Sequence, residues 1–221
     1  MTIAEVRGGM AMLGPESARI FRITHIDNVS WILDHGLRCK TSLVQDPNFV
    51  SIGMKDLILK RISRQVPIGP GGTLADYVPF YFTPFSIMMY NIKTGYNDVT
   101  QRRNGEIAIL VSSLYKLQEG GTRYVYTNGH AFLQETEYYD DLGNLNQIDW
   151  ELLRKRNFKK DPEDPGKGAR YQAEALVHLL VPVGALLGIA CHDEIAHKRI
   201  EAEVQSRDLS IPIRIMPQWY F

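Results

Sequence analysis

Two hydrophobic periods divide this chain. Residues 107–112 (Ile-Ala-Ile-Leu-Val-Ser) form a short, nearly unbroken apolar run, the pattern of a strand buried on both faces. Residues 77–82 (Tyr-Val-Pro-Phe-Tyr-Phe) also read as a strand, with alternation placing Phe80 and Phe82 on one face and Tyr81 on the other. Pro79 marks that strand as an edge or a bulge, because proline donates nothing to a ladder. Further strands are expected at 19–24, 124–127, 187–191 and 211–216. Helical spacing shows at 29–35, 86–93, 114–119 and 192–206. It shows again at 55–63, where Leu57, Ile58 and Ile62 define a face, and at 149–157, with Trp150, Leu153 and Phe158 turned inward. Residues 172–180 mix both signals. Short strands outnumber long helices, so the expected class is α+β around a mostly β core.

Composition narrows the function classes. A hydrophobic fraction of 44% over 221 residues suits a globular chain, read as one domain over residues 1–221. Formal net charge is zero, so no global field draws the chain to nucleic acid or membrane, and any such contact needs a local patch. The one strongly basic stretch holds Arg154, Lys155, Arg156, Lys159, Lys160, Lys167 and Arg170, partly offset by Asp161, Glu163 and Asp164. Cys39 and Cys191 stand far apart with no CxxC pattern, and His192 and His197 are too widely spaced for one helical face. Neither a disulfide framework nor a metal site is expected. Residues 1–14 lack signal-peptide architecture, and the apolar stretch at 175–190 is broken by His178, Pro182 and Gly184. The expectation is a cytoplasmic protein with no membrane span.

Several residues could carry chemistry. Arg22-Ile-Thr-His-Ile-Asp-Asn28 puts a polar cluster where a strand gives way to a helix closed by Gly36. Such a corner can hold an anion, or Asp27 and Asn28 can simply cap the helix. Glu174 interrupts an apolar run. A carboxylate there must be paired, protonated or functional if buried, and is unremarkable if it faces water. Arg61 and Arg64 share a helical face and could clamp phosphate or be solvated. Tyr81 and Tyr90 are either core or stacking platforms, and His130 follows an Asn-Gly turn.

The ordered set of blocks resembles the DarT family of DNA ADP-ribosyltransferase toxins. The blocks are Arg22-Ile-Thr-His-Ile-Asp-Asn28 with Trp31-Ile-Leu-Asp-His-Gly-Leu37; Lys60-Arg61 ahead of the run from Gly71 to Pro84; Met88-Met-Tyr90; Ile109-Leu-Val-Ser-Ser113; Gln147-Ile-Asp-Trp150; Tyr171-Gln-Ala-Glu-Ala-Leu-Val177; and Trp219-Tyr220. The resemblance implies an ADP-ribosyltransferase-like fold with a split, mostly antiparallel β core and peripheral helices, gripping NAD+ in its cleft. It implies transfer of ADP-ribose to a base in single-stranded DNA, thymine in this type and guanine in a sister subgroup, with release of nicotinamide. It further implies a toxin–antitoxin setting with a macrodomain-type antitoxin partner.

By position, Glu174 matches the catalytic glutamate and Arg61 the essential arginine, which also serves the cofactor. Thr24, His25 and Asn28 match the NAD+-gripping segment, and Tyr81, Met88 and Tyr90 match the block lining the nicotinamide side. Lys159, Lys160 and Arg170 fall in the target-recognition loop as DNA contacts, and His130 lies near the active site on the DNA side. One departure stands out: some members carry a histidine where this chain has Arg22. Competing readings are an ADP-ribosyltransferase acting on RNA or protein, a non-catalytic NAD-binding module, and a scaffold that binds no nucleotide.

Overall fold

The apolar run at 107–112 becomes the middle of a large sheet. In the computed structural model, which describes residues 13–221, it forms β4 (Ile107–Ser113), a strand buried along its whole length. The stretch at residues 1–14, which carries no signal-peptide pattern, lies outside the described residues apart from its last two positions. The other strands are β1 (Arg19–His25), β2 (Leu37–Arg38), β3 (Tyr77–Tyr81), β5 (Tyr124–Thr127), β6 (Tyr138–Tyr139), β7 (Glu174–His178), β8 (Leu180–Val181), β9 (Gly188–Cys191) and β10 (Ile213–Ile215). Eight of them make one sheet in the order β10-β9-β4-β1-β3-β7-β5-β6, while β2 and β8 pair separately. All neighbours run antiparallel except β9 and β10, which are parallel.

The sheet is split at its centre. β1 and β4 pair along their whole length, from Arg19–Ser113 to His25–Ile107. β3 and β7 pair from Tyr77–His178 to Tyr81–Glu174. Between these halves, β1 and β3 share a single registered pair, Phe21–Tyr81. In the opening beside it, Arg22 Nη1 donates to Pro79 O at 3.1 Å. Pro79 therefore sits at an internal edge, which explains how a proline survives in a strand flanked on both sides.

The two faces of the β3–β7–β5 half are buried differently. Phe80, Ala175, Val177 and Tyr126 belong to the main core, with Phe82 just beyond the strand. Tyr77, Val125 and Leu176 face the other way, into a smaller cluster with Val66, Leu74 and Ala131. Alternation along β7 puts Glu174 on this second face with Leu176. Trp219 and Tyr220 close the main core, Trp219 edge-on to Phe21 and Tyr220 donating its hydroxyl to Ile107 O at 2.9 Å.

Several expected elements change at their ends. Residues 172–180 resolve into β7 and β8, separated by Leu179 at φ 61. The helix expected at 149–157 is Trp150–Lys155, stopped by Arg156 at φ 52. The helix expected at 55–63 is Lys55–Arg61 and buries no residue fully. Leu57 and Ile58 are half-buried and Ile62 is exposed. This helix lies on the surface, so its apolar face is realised only in part.

The helix Asn28–His35 and the helix Glu194–Gln205 pack against each other, with Asp34 holding the Arg207 guanidinium at 2.6 and 2.8 Å. Gly36 ends the first helix at φ 73, ψ 176. A Cβ there would lie 2.6 Å from Val181 O, because β2 pairs directly with β8. Gly36→Ala should lower stability by about 1–3 kcal/mol, the typical cost of a backbone held in a glycine-only region. Urea titration should show a lower midpoint with an unchanged slope.

Candidate active site

Glu174 opens β7 at the split and is 2% exposed. An isolated carboxylate at that depth would be costly, and the fold supplies partners for it. Arg61 Nη1 donates to Glu174 Oε2 at 2.9 Å and approaches Oε1 at 3.2 Å. The Ala131 N–H donates to Oε1 at 3.0 Å. The Glu174 backbone is pinned separately: its N–H donates to Thr127 Oγ1 at 3.1 Å. Arg61 reaches this pair from the last turn of the surface helix Lys55–Arg61, with its side chain 13% exposed. An exposed helix thus delivers a buried guanidinium.

Three more side chains complete the cluster. Tyr81 is the cross-strand partner of Glu174, so their side chains share one face. Burial first, and the Glu174 charge second, push its phenol up to about 12, so it is a neutral hydrogen-bonding group at physiological pH. Arg22 is half-buried beside Tyr81, Arg61 and Glu174, and desolvation of its guanidinium lowers its pKa from the ordinary arginine value. His130 Nδ1 lies 3.6 Å from Glu174 Oε1 and accepts from the Phe132 N–H at 3.2 Å. That bond leaves the Nδ1 lone pair occupied and places the neutral ring's proton on Nε2. The structure therefore brings His130 to Glu174 itself.

The corner at the end of β1 is organised around a different set of bonds. Asn28 Nδ2 donates to Thr24 Oγ1 at 3.0 Å and to Val50 O at 2.9 Å, and Oδ1 accepts from the Val50 N–H at 2.8 Å. Asn28 thus ties the 39–54 segment to the strand, with both of its amide protons committed. Asp27 precedes the helix without a side-chain cap. His25 is 5% exposed, and its Nδ1 accepts from the Asp27 N–H at 3.2 Å. Its Nε2 has no hydrogen-bond partner, the nearest carboxylate oxygen being Glu106 Oε1 at 3.8 Å. Arg61 Nη2 and Arg22 Nε are likewise buried and unpartnered. Buried donors without partners are rare in folded chains. Here three gather on two arginines and a histidine around the split.

The remaining expected residues lie further out. Met88 is half-buried against the main core. Tyr90 is 39% exposed and packs edge-on to Phe158 and Phe221, at 5.8 and 5.4 Å between ring centres. Lys159 and Lys160 are exposed. Arg170 is bound to carboxylates: Nη2 donates to Asp164 Oδ2 at 2.6 Å and Nε to Asp149 Oδ2 at 3.2 Å. These bonds raise its pKa further and spend its fork on shaping the 157–170 loop. Sequence reasoning did not single out Ala131, whose contribution is a backbone N–H and leaves no side-chain signal. It also assigned Arg22 no role at the site. No group of His, Cys, Asp and Glu among the described residues could hold a metal ion, and no described helix is long and apolar enough to cross a membrane.

Comparison with known proteins matches this geometry to one family. Residues 21–221 fit the family described as ssDNA thymidine ADP-ribosyltransferase, DarT. A DNA ADP-ribosyl transferase of Escherichia coli O127:H6 is 47% identical over 211 residues, covering 96% of this chain and 97% of the relative. DarT of Thermus sp. 2.9, solved in complex with ADP-ribosylated single-stranded DNA, superposes with a TM-score of 0.86 at 31% identity, over 94% of this chain and 98% of that one. The same Thermus protein in complex with NAD+ superposes at 0.83, with 30% identity over 94% and 99% of the two chains. A Thermosipho africanus protein, a DNA ADP-ribosyl transferase–DNA ADP-ribosyl glycohydrolase fusion, is 23% identical over 94% of this chain, which spans half of the fusion. The split sheet with its α+β surround is the DarT ADP-ribosyltransferase fold, and the chain belongs to the DarT family of single-stranded-DNA ADP-ribosyltransferases.

Proposed function

We propose that this protein transfers ADP-ribose from NAD+ to thymine in single-stranded DNA, releasing nicotinamide, as the toxin of a toxin–antitoxin pair. The observation that carries the reading is the buried Arg61–Glu174 pair at the split, ringed by unpartnered donors. Two arginines against one carboxylate leave a surplus positive charge at depth, which suits a diphosphate. Arg61 Nη2, Arg22 Nε and His25 Nε2 are donors that a dinucleotide would satisfy. Thr24 and Asn28 hold the corner that carries His25. Tyr81, with Met88 and Tyr90 further out, supplies apolar and aromatic area on the nicotinamide side.

NAD+ supplies an ADP-ribosyl group on a leaving nicotinamide. The bond from the ribose anomeric carbon to nicotinamide breaks, with its electron pair leaving on neutral nicotinamide. A bond from that carbon to a base nitrogen forms, and the nitrogen's proton must go to a base on the protein. Glu174 can accept that proton. Its Oε1 is held by Ala131 and Arg61, while Oε2 accepts from Arg61 alone and keeps room for another donor. Arg61 fixes the carboxylate and offers its second nitrogen to phosphate or to the polarised base. His130, close to Glu174, faces the acceptor, and Lys159 and Lys160 give the strand phosphates a local positive patch. Arg170 acts on DNA through the loop it shapes.

The antitoxin reading is supported by the Thermosipho protein, in which a glycohydrolase is joined to the transferase on one chain. A macrodomain-type partner that removes the mark fits that pairing. A need for both NAD+ and DNA fits a cytoplasmic setting, with residues 1–221 acting as one catalytic domain.

Mass spectrometry of oligonucleotides incubated with NAD+ tests the reading. Thymine-containing single strands should gain one ADP-ribosyl mass, while guanine-only strands, RNA and protein should not. Label on RNA or protein in preference to single-stranded DNA would refute it. Glu174→Ala should lower the transfer rate by about 10²–10⁴-fold, the usual loss on removing a general base. Full activity in that variant would remove Glu174 from the chemistry.

A further inference from the structure

Arg64 stands one helical turn beyond Arg61 and takes no part in the proposed chemistry. It is half-buried. Its Nη2 donates to Leu133 O at 2.9 Å, and its Nε is buried without a partner. The backbone of Arg64 is fixed on both sides: its N–H donates to Arg61 O, and its carbonyl accepts from the Leu74 N–H at 2.9 Å. One residue therefore connects the end of the Arg61 segment to the loop at 130–133.

That loop holds the second donor to Glu174. Ala131 is seated in the small apolar cluster with Val66, Leu74 and Leu176, and Phe132 and Tyr138 pack against it. The Tyr138 hydroxyl donates to Ala131 O. Tyr138 also lies within reach of the Arg64 guanidinium, which opposes the upward shift that burial imposes on the phenol. Leu133 O and Ala131 O are thus each tied down by a side-chain donor. The peptide that carries the Ala131 N–H is held through its own carbonyl, His130 O, which accepts from the Leu133 N–H at 3.0 Å and from the Thr136 hydroxyl at 2.9 Å, so the bonds to Ala131 O and Leu133 O anchor the residues that hold it.

We infer that Arg64 is a positioning residue for the transfer reaction: with the Tyr138 hydroxyl it braces the 130–133 loop against the Arg61 segment, fixing both donors that hold the Glu174 carboxylate. The inference rests on Glu174 being the base in the proposed reaction. A carboxylate held at 2.9 and 3.0 Å by two donors from separate segments has little freedom. Loosening either donor lets it swing away from the acceptor nitrogen, and misplacement of about 1 Å costs on the order of 10²-fold in rate.

The test is steady-state transfer to a thymine-containing single strand, with wild type, Arg64→Met, Arg64→Lys, Tyr138→Phe, the Arg64→Met/Tyr138→Phe double variant and Glu174→Ala assayed together. Arg64→Met should lower kcat by about 10- to 100-fold and move the KM for NAD+ by less than about threefold, the signature of lost alignment rather than lost binding. Arg64→Lys, which keeps one donor for Leu133 O, should recover much of the loss. Tyr138→Phe removes a single oxygen, leaves the packing in place, and should lower kcat in the same direction. The double variant should lose measurably less than the two single losses combined, because both residues act on one loop. Wild-type kcat in both Arg64→Met and Tyr138→Phe overturns the inference while leaving Glu174 in place. Wild-type activity in Glu174→Ala overturns the inference together with the reading beneath it.

Discussion

A buried carboxylate sets the terms for the centre of this molecule. Glu174 begins a strand that is otherwise apolar, at a depth where an unpaired charge could not persist. Its partners come from three separate stretches: Arg61 from a surface helix, Ala131 from a loop and Thr127 from the neighbouring strand. The split between β1 and β3 makes room for this convergence, because only Phe21 and Tyr81 pair across it. A continuous ladder would have filled the space with backbone. The opening instead holds Arg22, Arg61, Tyr81, His130 and Glu174, and the burial that makes the pair necessary also strengthens its field.

Stability and function pull against each other here. Removing one partner of a buried pair leaves the other charge uncompensated, whereas an apolar replacement of both is often tolerated. The pair is thus weak support for stability, and it suits the chemical role proposed for it. The unpartnered nitrogens on Arg61, Arg22 and His25 point the same way.

Much of the fold was legible because burial leaves a periodic trace. The run at 107–112 identified β4, and Phe80 and Phe82 lie together in the main core as read. The two-residue strands β2, β6 and β8 were invisible, since two positions carry no period. The 172–180 stretch could not be resolved from pattern alone because the break falls at Leu179, whose positive φ no residue type announces. The site was legible where a side chain is out of place, as at Glu174, or where blocks of residues resemble a family, as at Arg61. It was opaque where the contribution comes from backbone, as at Ala131, or from loop ion pairs, as at Arg170. Arg170 read as a DNA contact in a basic stretch. Asp149 and Asp164, distant and near in sequence, claim its guanidinium in the fold.

Calorimetric titration of NAD+ without DNA tests the central claim most directly, comparing wild type with Glu174→Gln and Arg61→Ala. If the pair divides its work between gripping NAD+ and accepting a proton, Glu174→Gln should bind within about threefold of wild type, and Arg61→Ala should bind at least about tenfold more weakly, the worth of one charge-assisted hydrogen bond. Equal affinity in Arg61→Ala and wild type would contradict the account, because the guanidinium would then serve the carboxylate alone.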